Sequence, residues 1–136
     1  RHWPPTTRSV DPSDADIHFL PDESGPDLEA LFDGYDEILA PGLLWAELRN
    51  VLLVAERRGR VTDITSDAVM EAVDALGIVV DHALPGPRVT RLARRHSLSA
   101  YDALYLELAV RHGATLTTLD SALARAARAE GIRVTP

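Results

Sequence analysis

Apolar residues follow two alternating rhythms along this chain. Short runs bounded by Gly, Pro or Asp alternate with longer stretches whose apolar positions recur every three or four residues. The first rhythm suits short buried strands and the second amphipathic helices. RSV (residues 8–10) is the first expected strand. DPS then opens a helix, with Asp11 as N-cap, Pro12 at the first position and Asp14 three residues beyond the cap. That helix should end before Pro21, and PDLEALFD (26–33) reads as a second short helix. DEILA (36–40) is a short strand stopped by Pro41 and Gly42. LLWAELRNVLLVAERRG (43–59) is the clearest helix of the first half. It is rich in helix formers and stops at Gly59, with Arg57 and Arg58 suiting its C-terminal dipole.

Downstream, SDAVMEAVDAL (66–76) is another amphipathic helix ended by Gly77, and GIVV (77–80) reads as a buried strand. PGPRVTRLARRHS (85–97) is a Pro-started basic helix, and a further helix is expected from Ser99 to about His112 with Gly113 as its stop. ATLTT (114–118) is a strand, SALARAARA (121–129) a helix and GIRV (131–134) a last strand. Strands alternating with helices predict an α/β domain with a mainly parallel sheet, whose functional crevices lie at the carboxyl ends of the strands.

The 136 residues fit one domain, 9–136, behind a polar, Pro-broken tail, 1–8. A chain of this length buries roughly two-thirds of its unfolded surface and can hold a core unaided. No apolar run approaches the roughly 18 residues of a membrane span, so none is expected. The chain opens on Arg1 rather than Met, which reads as processing, trimming or a fragment, a removed signal peptide included.

Composition removes whole mechanisms. There is no cysteine, hence no disulfide, thiolate metal site or Cys nucleophile, which fits a reducing, cytoplasmic setting. All 14 basic residues are Arg, so P-loop, Schiff-base and Lys-dependent phosphoacceptor chemistry are absent. Residues 1–50 hold 3 Arg against 11 acids (−8), whereas residues 51–136 hold 11 Arg against 10 acids (+1), giving the net −7. An acidic protein binds nucleic acid poorly overall, so any such contact must be local.

Four acids stand where acids are costly. Asp11 follows the RSV strand and Asp120 the ATLTT strand, both places where α/β sites are built, although each could simply cap the next helix. Glu47 shares a helix stripe with Leu43, Val51 and Val54, with Asn50 near it, and otherwise is a helix-edge residue reaching solvent. Asp102 heads an apolar run between two tyrosines, and Ser99-x-x-Asp102 has the spacing of a capping box. If the four converge, each close pair repels by about 4 kcal/mol at about 4 Å. A divalent cation would relieve this, and hard oxygen ligands point to Mg²⁺ or Mn²⁺. Such a site suits phosphodiester hydrolysis, which needs no protein nucleophile.

SAYDALYLELAVRHGATLTTLDSALARAA (99–127) resembles the PIN-domain ribonucleases, in particular the VapC toxins of bacterial toxin–antitoxin pairs. APGLLWAELRNVL (40–52) is similar to the family's helix carrying an acid followed by Asn at i+3, and SVDPS (9–13) to its strand-end Asp-x-Ser. The resemblance runs from about Ser9 to Val134. It implies a three-layer domain with a parallel five-stranded sheet between helices. It also implies Asp11, Glu47, Asp102 and Asp120 around Mg²⁺ or Mn²⁺, with Ser13 and Thr118 as polar neighbours. The implied activity is an endoribonuclease that blocks translation, with a VapB-type antitoxin and a homodimer as its assemblies.

Other features change little. Arg91, Arg94, Arg95 and Arg111 are candidate RNA contacts, or a solvated helix face. His82, His96 and His112 read as surface residues. Trp45 falls about 160° from Glu47 around its helix and suits packing or a dimer contact. Asp11, Asp14 and Asp16 lack the spacing and the glycine of a calcium loop. Two rivals stand. One is a catalytically silent PIN-like interaction module, suggested by the polar first strand PTTRSV and by Asp14, Asp16 and His18 in the first helix. The other, a receiver-like phosphoacceptor domain, fails on the missing lysine.

Overall fold

The computed structural model describes the backbone of residues 7–10 and all of residues 37–135. The helices expected after Asp11 and over 26–33 lie outside the described residues. In order, the elements are β1 (Thr7–Val10), β2 (Glu37–Pro41), α1 (Leu43–Arg57), α2 (Asp63–Asp74), β3 (Val79–Asp81), α3 (Gly86–His96), α4 (Ala100–His112), β4 (Thr115–Thr117), α5 (Ser121–Ala129) and β5 (Val134–Thr135). The strands pair in parallel in the order β3-β2-β1-β4-β5, so β1 joins the β2–β3 ladder to the β4–β5 ladder. The alternation seen in the sequence is therefore that of an α/β domain.

The centre of the fold is α4, which packs against β1, β2 and β4 and against its neighbours α3 and α5. Ala103 and the unbroken run Tyr105 to Ala109 are all buried, a helix covered on nearly every side. Its ends are well defined. The Ser99 hydroxyl accepts the Asp102 N–H at 3.1 Å, and Gly113 takes the left-handed conformation (φ 60°) that closes the helix without a Cβ clash. Ser97 also adopts a left-handed backbone (φ 55°), unfavourable for a residue with a side chain, and this turn reverses α3 into α4. Leu106, Ala109, Leu116, Leu123, Ala126 and Ala127 make the main core between α4, β4 and α5, and Leu48, Leu52, Ala55 and Val73 make a second one between α1 and α2.

Two expectations change. The GIVV segment is not a buried strand: β3 is a sheet edge, with Val79 46% and Val80 38% exposed. The second amphipathic helix begins earlier than expected, because the Thr62 hydroxyl accepts the Thr65 N–H and starts α2 at Asp63.

A buried ion network ties the edge strand to the central helix. Glu107 is only 3% exposed, and Arg111 one turn on donates to it through Nε (3.1 and 3.0 Å) and Nη2 (3.0 Å). Arg111 Nη1 also donates to Asp81 Oδ2 at 2.7 Å, and His112 Nε2 lies 3.1 Å from the same oxygen. The Arg111 guanidinium beside Asp81 holds that carboxyl down at about 2, while Glu107 and Asp81 together push Arg111 further above its ordinary range. Removing one partner of such a group leaves the other buried and unpaired.

Arg111→Ala should therefore destabilise the protein by about 3 kcal/mol at pH 7 in urea unfolding. Asp81 has a depressed folded pKa, so its stabilising effect is present above 3.8 and lost as pH falls toward about 2. The gap between parent and variant is expected to shrink by roughly 2 kcal/mol over that acid range.

Candidate active site

β4 ends at Thr117, and the chain after it turns directly into α5. The Thr118 hydroxyl accepts the Asp120 N–H at 3.0 Å, and Asp120 Oδ1 caps α5 by accepting the Leu123 N–H at 2.8 Å. The cap reading of Asp120 is thus correct, and it engages one of the two carboxylate oxygens. Asp102 sits in the first turn of α4, half-buried, and its backbone N–H completes the cap with Ser99. Burial pushes the Asp102 carboxyl up, the Asp120 charge pushes it up further, and the Ser99 hydroxyl offsets part of both. The two acids therefore share one neighbourhood at the N-termini of two helices. Among the described residues, no basic side chain contacts either of them.

Glu47 joins them through a tyrosine. Tyr105, fully buried, donates its hydroxyl to Glu47 Oε1 at 3.1 Å and lies three residues after Asp102, on the same face of α4. The buried stripe of α1 is Leu44, Leu48, Leu52 and Ala55, so Glu47 stands on its border rather than inside it. Asn50 is exposed. β1 ends at Val10, in register with Thr117, which puts the end of β1 beside the end of β4. Asp11 and Ser13, the next candidates along the chain, lie outside the described residues.

The arginines fall elsewhere. Arg91, Arg95 and Arg111 line a cleft around Glu107 and Glu130, at the C-terminal ends of α4 and α5. Nine residues separate Asp102 from Arg111, about 13 Å along the helix axis. Arg111 is engaged by Glu107 and Asp81, and Arg95 donates to Glu130 at 3.0 Å. Arg95 and Arg111 thus answer acids of their own, whereas Arg91 lines the same cleft and is exposed. Arg94 is exposed. His96 is no surface residue either. Its Nε2 lies 2.7 Å from Glu130, and it and Arg95 together hold that carboxyl below its usual range. His112 is paired with Asp81, and His82 is exposed as expected.

Among the described residues, no three His, Asp or Glu side chains come close enough to hold a metal ion. The donor chemistry nonetheless fits a divalent cation at Asp102 and Asp120. These are hard oxygens, mutually repelling, with no base beside them among the described residues. Tyr105 is the site residue that reading the sequence missed. Its spacing from Asp102 was the available signal, but its partner is 58 positions away.

The sequence pattern of the PIN domain matches residues 17–129. Ribonuclease VapC1 of Mycobacterium tuberculosis (strain CDC 1551 / Oshkosh) is 38% identical over 91 residues, covering 64% of this chain and 65% of that protein. Ribonuclease VapC3 of the same strain is 37% identical over 87 residues, covering 64% of this chain and 63% of that protein. The chain spans just under two thirds of the length of the curated relatives it matches. A solved structure, PAE2754 from Pyrobaculum aerophilum, superposes with a TM-score of 0.72 at 24% identity, over 95% of this chain and 90% of that one, a likeness of fold.

A carboxyl pushed up by burial and a like charge opposes folding when ionised. Asp102→Asn is therefore expected to fold and to be at least as stable as the parent at pH 7. Because the folded value is raised above 3.8, this advantage should fade as pH falls from neutral toward that ordinary value and be gone below it. Thermal unfolding of both proteins at neutral and acid pH checks it.

Proposed function

The chain belongs to the PIN-domain family, whose pattern takes in Glu47, Asp102 and Asp120; on that premise we propose that it is a metal-dependent endoribonuclease of the VapC type. One observation carries the reading. Asp102 and Asp120 are held together where β4 hands over to α5, with no base beside them among the described residues. Similarity to the ribonucleases VapC1 and VapC3 supports RNA as the substrate. Inhibition of translation, neutralisation by a VapB-like antitoxin, a homodimer, a cytoplasmic location and the complete five-stranded sheet of the family belong to the same proposal.

Mg²⁺ or Mn²⁺ would be held by Asp102 and Asp120, with Glu47 and Asp11 directly or through water. When bound, such an ion supplies Lewis acidity toward a phosphoryl group and neutralises charge on it. The residues of the chain do the rest. Caps at Ser99 and Asp120 fix both carboxylates against helix N-termini, whose positive dipole ends make a negative pair tolerable. Tyr105 orients Glu47 by its hydrogen bond. A side-chain oxygen of Asp102 or Asp120 that the ion leaves free would be the acceptor for a proton from an attacking water. No Cys or Lys nucleophile is required, and the chain has neither.

A catalytically silent interaction module is the second reading. It is suggested by the polar first strand PTTRSV and by Asp14, Asp16 and His18 in the sequence that follows. No described helix is long and apolar enough to cross a membrane, so neither reading involves such a span there.

Structured RNAs incubated with the protein should be cut in the presence of Mn²⁺ or Mg²⁺ and spared when a chelator is added. Asp102→Asn is expected to lower the cleavage rate by roughly 10²- to 10⁴-fold while remaining folded. Parental turnover in that variant, or cutting that survives the chelator, would contradict the assignment.

A further inference from the structure

At the carboxyl ends of β2 and β3 the chain forms an open cleft of about 370 Å³. That volume lies in the range of small-molecule sites, roughly 300–1,000 Å³. Pro41 and Asp81, partners in the β2–β3 register, line it where the two strands end. Leu43 of α1, Leu104 of α4, and Ala83 and Leu84 of the turn after β3 give it apolar walls, with His82 beside them. Leu43 lies one turn before Glu47 on α1, and Leu104 directly precedes Tyr105, the donor to Glu47. The cleft therefore adjoins the Glu47–Tyr105 hydrogen bond from both helices. Only β1 separates β2 from β4 in the sheet, so the ends of those strands stand about 10 Å apart, a span of the order of one nucleotide.

The lining sets the kind of occupant. Among the described residues no guanidinium lines the cleft, and its one carboxylate is already engaged. Asp81 Oδ1 accepts the Ala83 N–H at 2.8 Å, while Oδ2 takes Arg111 and His112. A phosphate would find no cation there and an ammonium no free carboxylate. A flat, uncharged ring would find apolar walls for its faces and an imidazole for its edge. Leu84 adds an independent observation. It is 87% exposed, the most exposed of the large apolar side chains described. Yet its turn is fixed on both sides, by the Ala83–Asp81 bond and by the Gly86 N–H donated to the Leu84 carbonyl at 2.8 Å. A leucine held in water on a fixed turn beside an apolar cleft is a preorganised contact surface.

We propose that this cleft receives one unpaired nucleobase of the RNA, from a nucleotide flanking the scissile phosphate. The base lies with its faces against Leu84 and Leu104 and its edge toward His82. Sequence-specific recognition of RNA falls mainly on such unpaired bases, seated on side chains and hydrogen-bonded along their edges. The inference rests on the ribonuclease reading for the identity of the substrate, and it makes Leu84 and His82 determinants of where the chain cuts.

NMR titration of the full chain with the four nucleoside 5′-monophosphates tests the cleft without any cutting, and ribose 5-phosphate serves as the probe that lacks a base. Saturable amide shifts at His82, Ala83, Leu84 and Leu104 are expected with at least one nucleotide and not with ribose 5-phosphate. Leu84→Ser should weaken that binding about tenfold. Ile64→Ser removes an exposed apolar side chain of α2 outside the cleft and should leave it within about twofold. In a Mn²⁺ cleavage assay on single-stranded RNA, deleting one base beside the cut should lower kcat/KM about tenfold for the parent, and Leu84→Ser should abolish that difference. A parent that cuts RNA yet shows no base-dependent shift in the cleft overturns the proposal and leaves the ribonuclease reading standing. Base-dependent shifts in a parent that cuts no RNA uphold the cleft and overturn that reading instead. Equal shifts with ribose 5-phosphate, or cleft signals that follow protein concentration alone because a second copy fills it, would also overturn the proposal.

Discussion

Burial of α4 is the constraint on which the rest depends. A helix covered on nearly every side cannot carry charge unless something answers it, yet α4 carries Asp102, Glu107 and Arg111. In its C-terminal half the answer is internal. Arg111 meets Glu107 and reaches across to Asp81 on the edge strand. That network stabilises the short, half-exposed β3, which has little apolar burial of its own. At the other end Asp102 faces another acid, Asp120, and among the described residues no base answers it. One helix thus has a satisfied pole and an unsatisfied one about 13 Å apart.

The difference between the poles is what distinguishes fold from site. Arg95 and Arg111, two of the candidate RNA contacts, are paired with Glu130 and with Glu107 and Asp81, where they hold the fold together. Around Asp102 and Asp120 there are helix N-termini and hydroxyls: dipoles that moderate negative charge without cancelling it. An unfavourable pairing kept in place by favourable caps is the arrangement expected where a cation is to be bound. Tyr105 links the two aspects, being wholly buried while its hydroxyl fixes Glu47 on another helix.

Much of this was legible from residues alone. The alternation of elements, the Ser99 start and Gly113 stop of α4, and the cap at Asp120 followed from local chemistry that needs no partner. What was not legible was long-range. Val79 and Val80 read as buried because β-branched runs usually are, but strand order, not composition, made β3 an edge. Arg111 read as an RNA contact or part of a solvated face, and its pairing was hidden because Asp81 is 30 positions away, although Glu107 one turn before it was a visible hint. His96 read as a surface residue for the same reason, its partner Glu130 being 34 positions on. Asp11 and Ser13 lie outside the described residues.

The central claim is that the Asp102–Asp120 pair is completed by a divalent cation. Carbon-detected NMR of the side-chain carboxyls during a substoichiometric Mn²⁺ titration addresses it directly. A paramagnetic ion broadens signals only within its immediate reach. Selective, early loss of the Asp102 and Asp120 carboxyl signals, with Glu107 and Asp81 unaffected, is the predicted result. Uniform slight broadening of all acids, or retention of both signals at stoichiometric Mn²⁺, would contradict it.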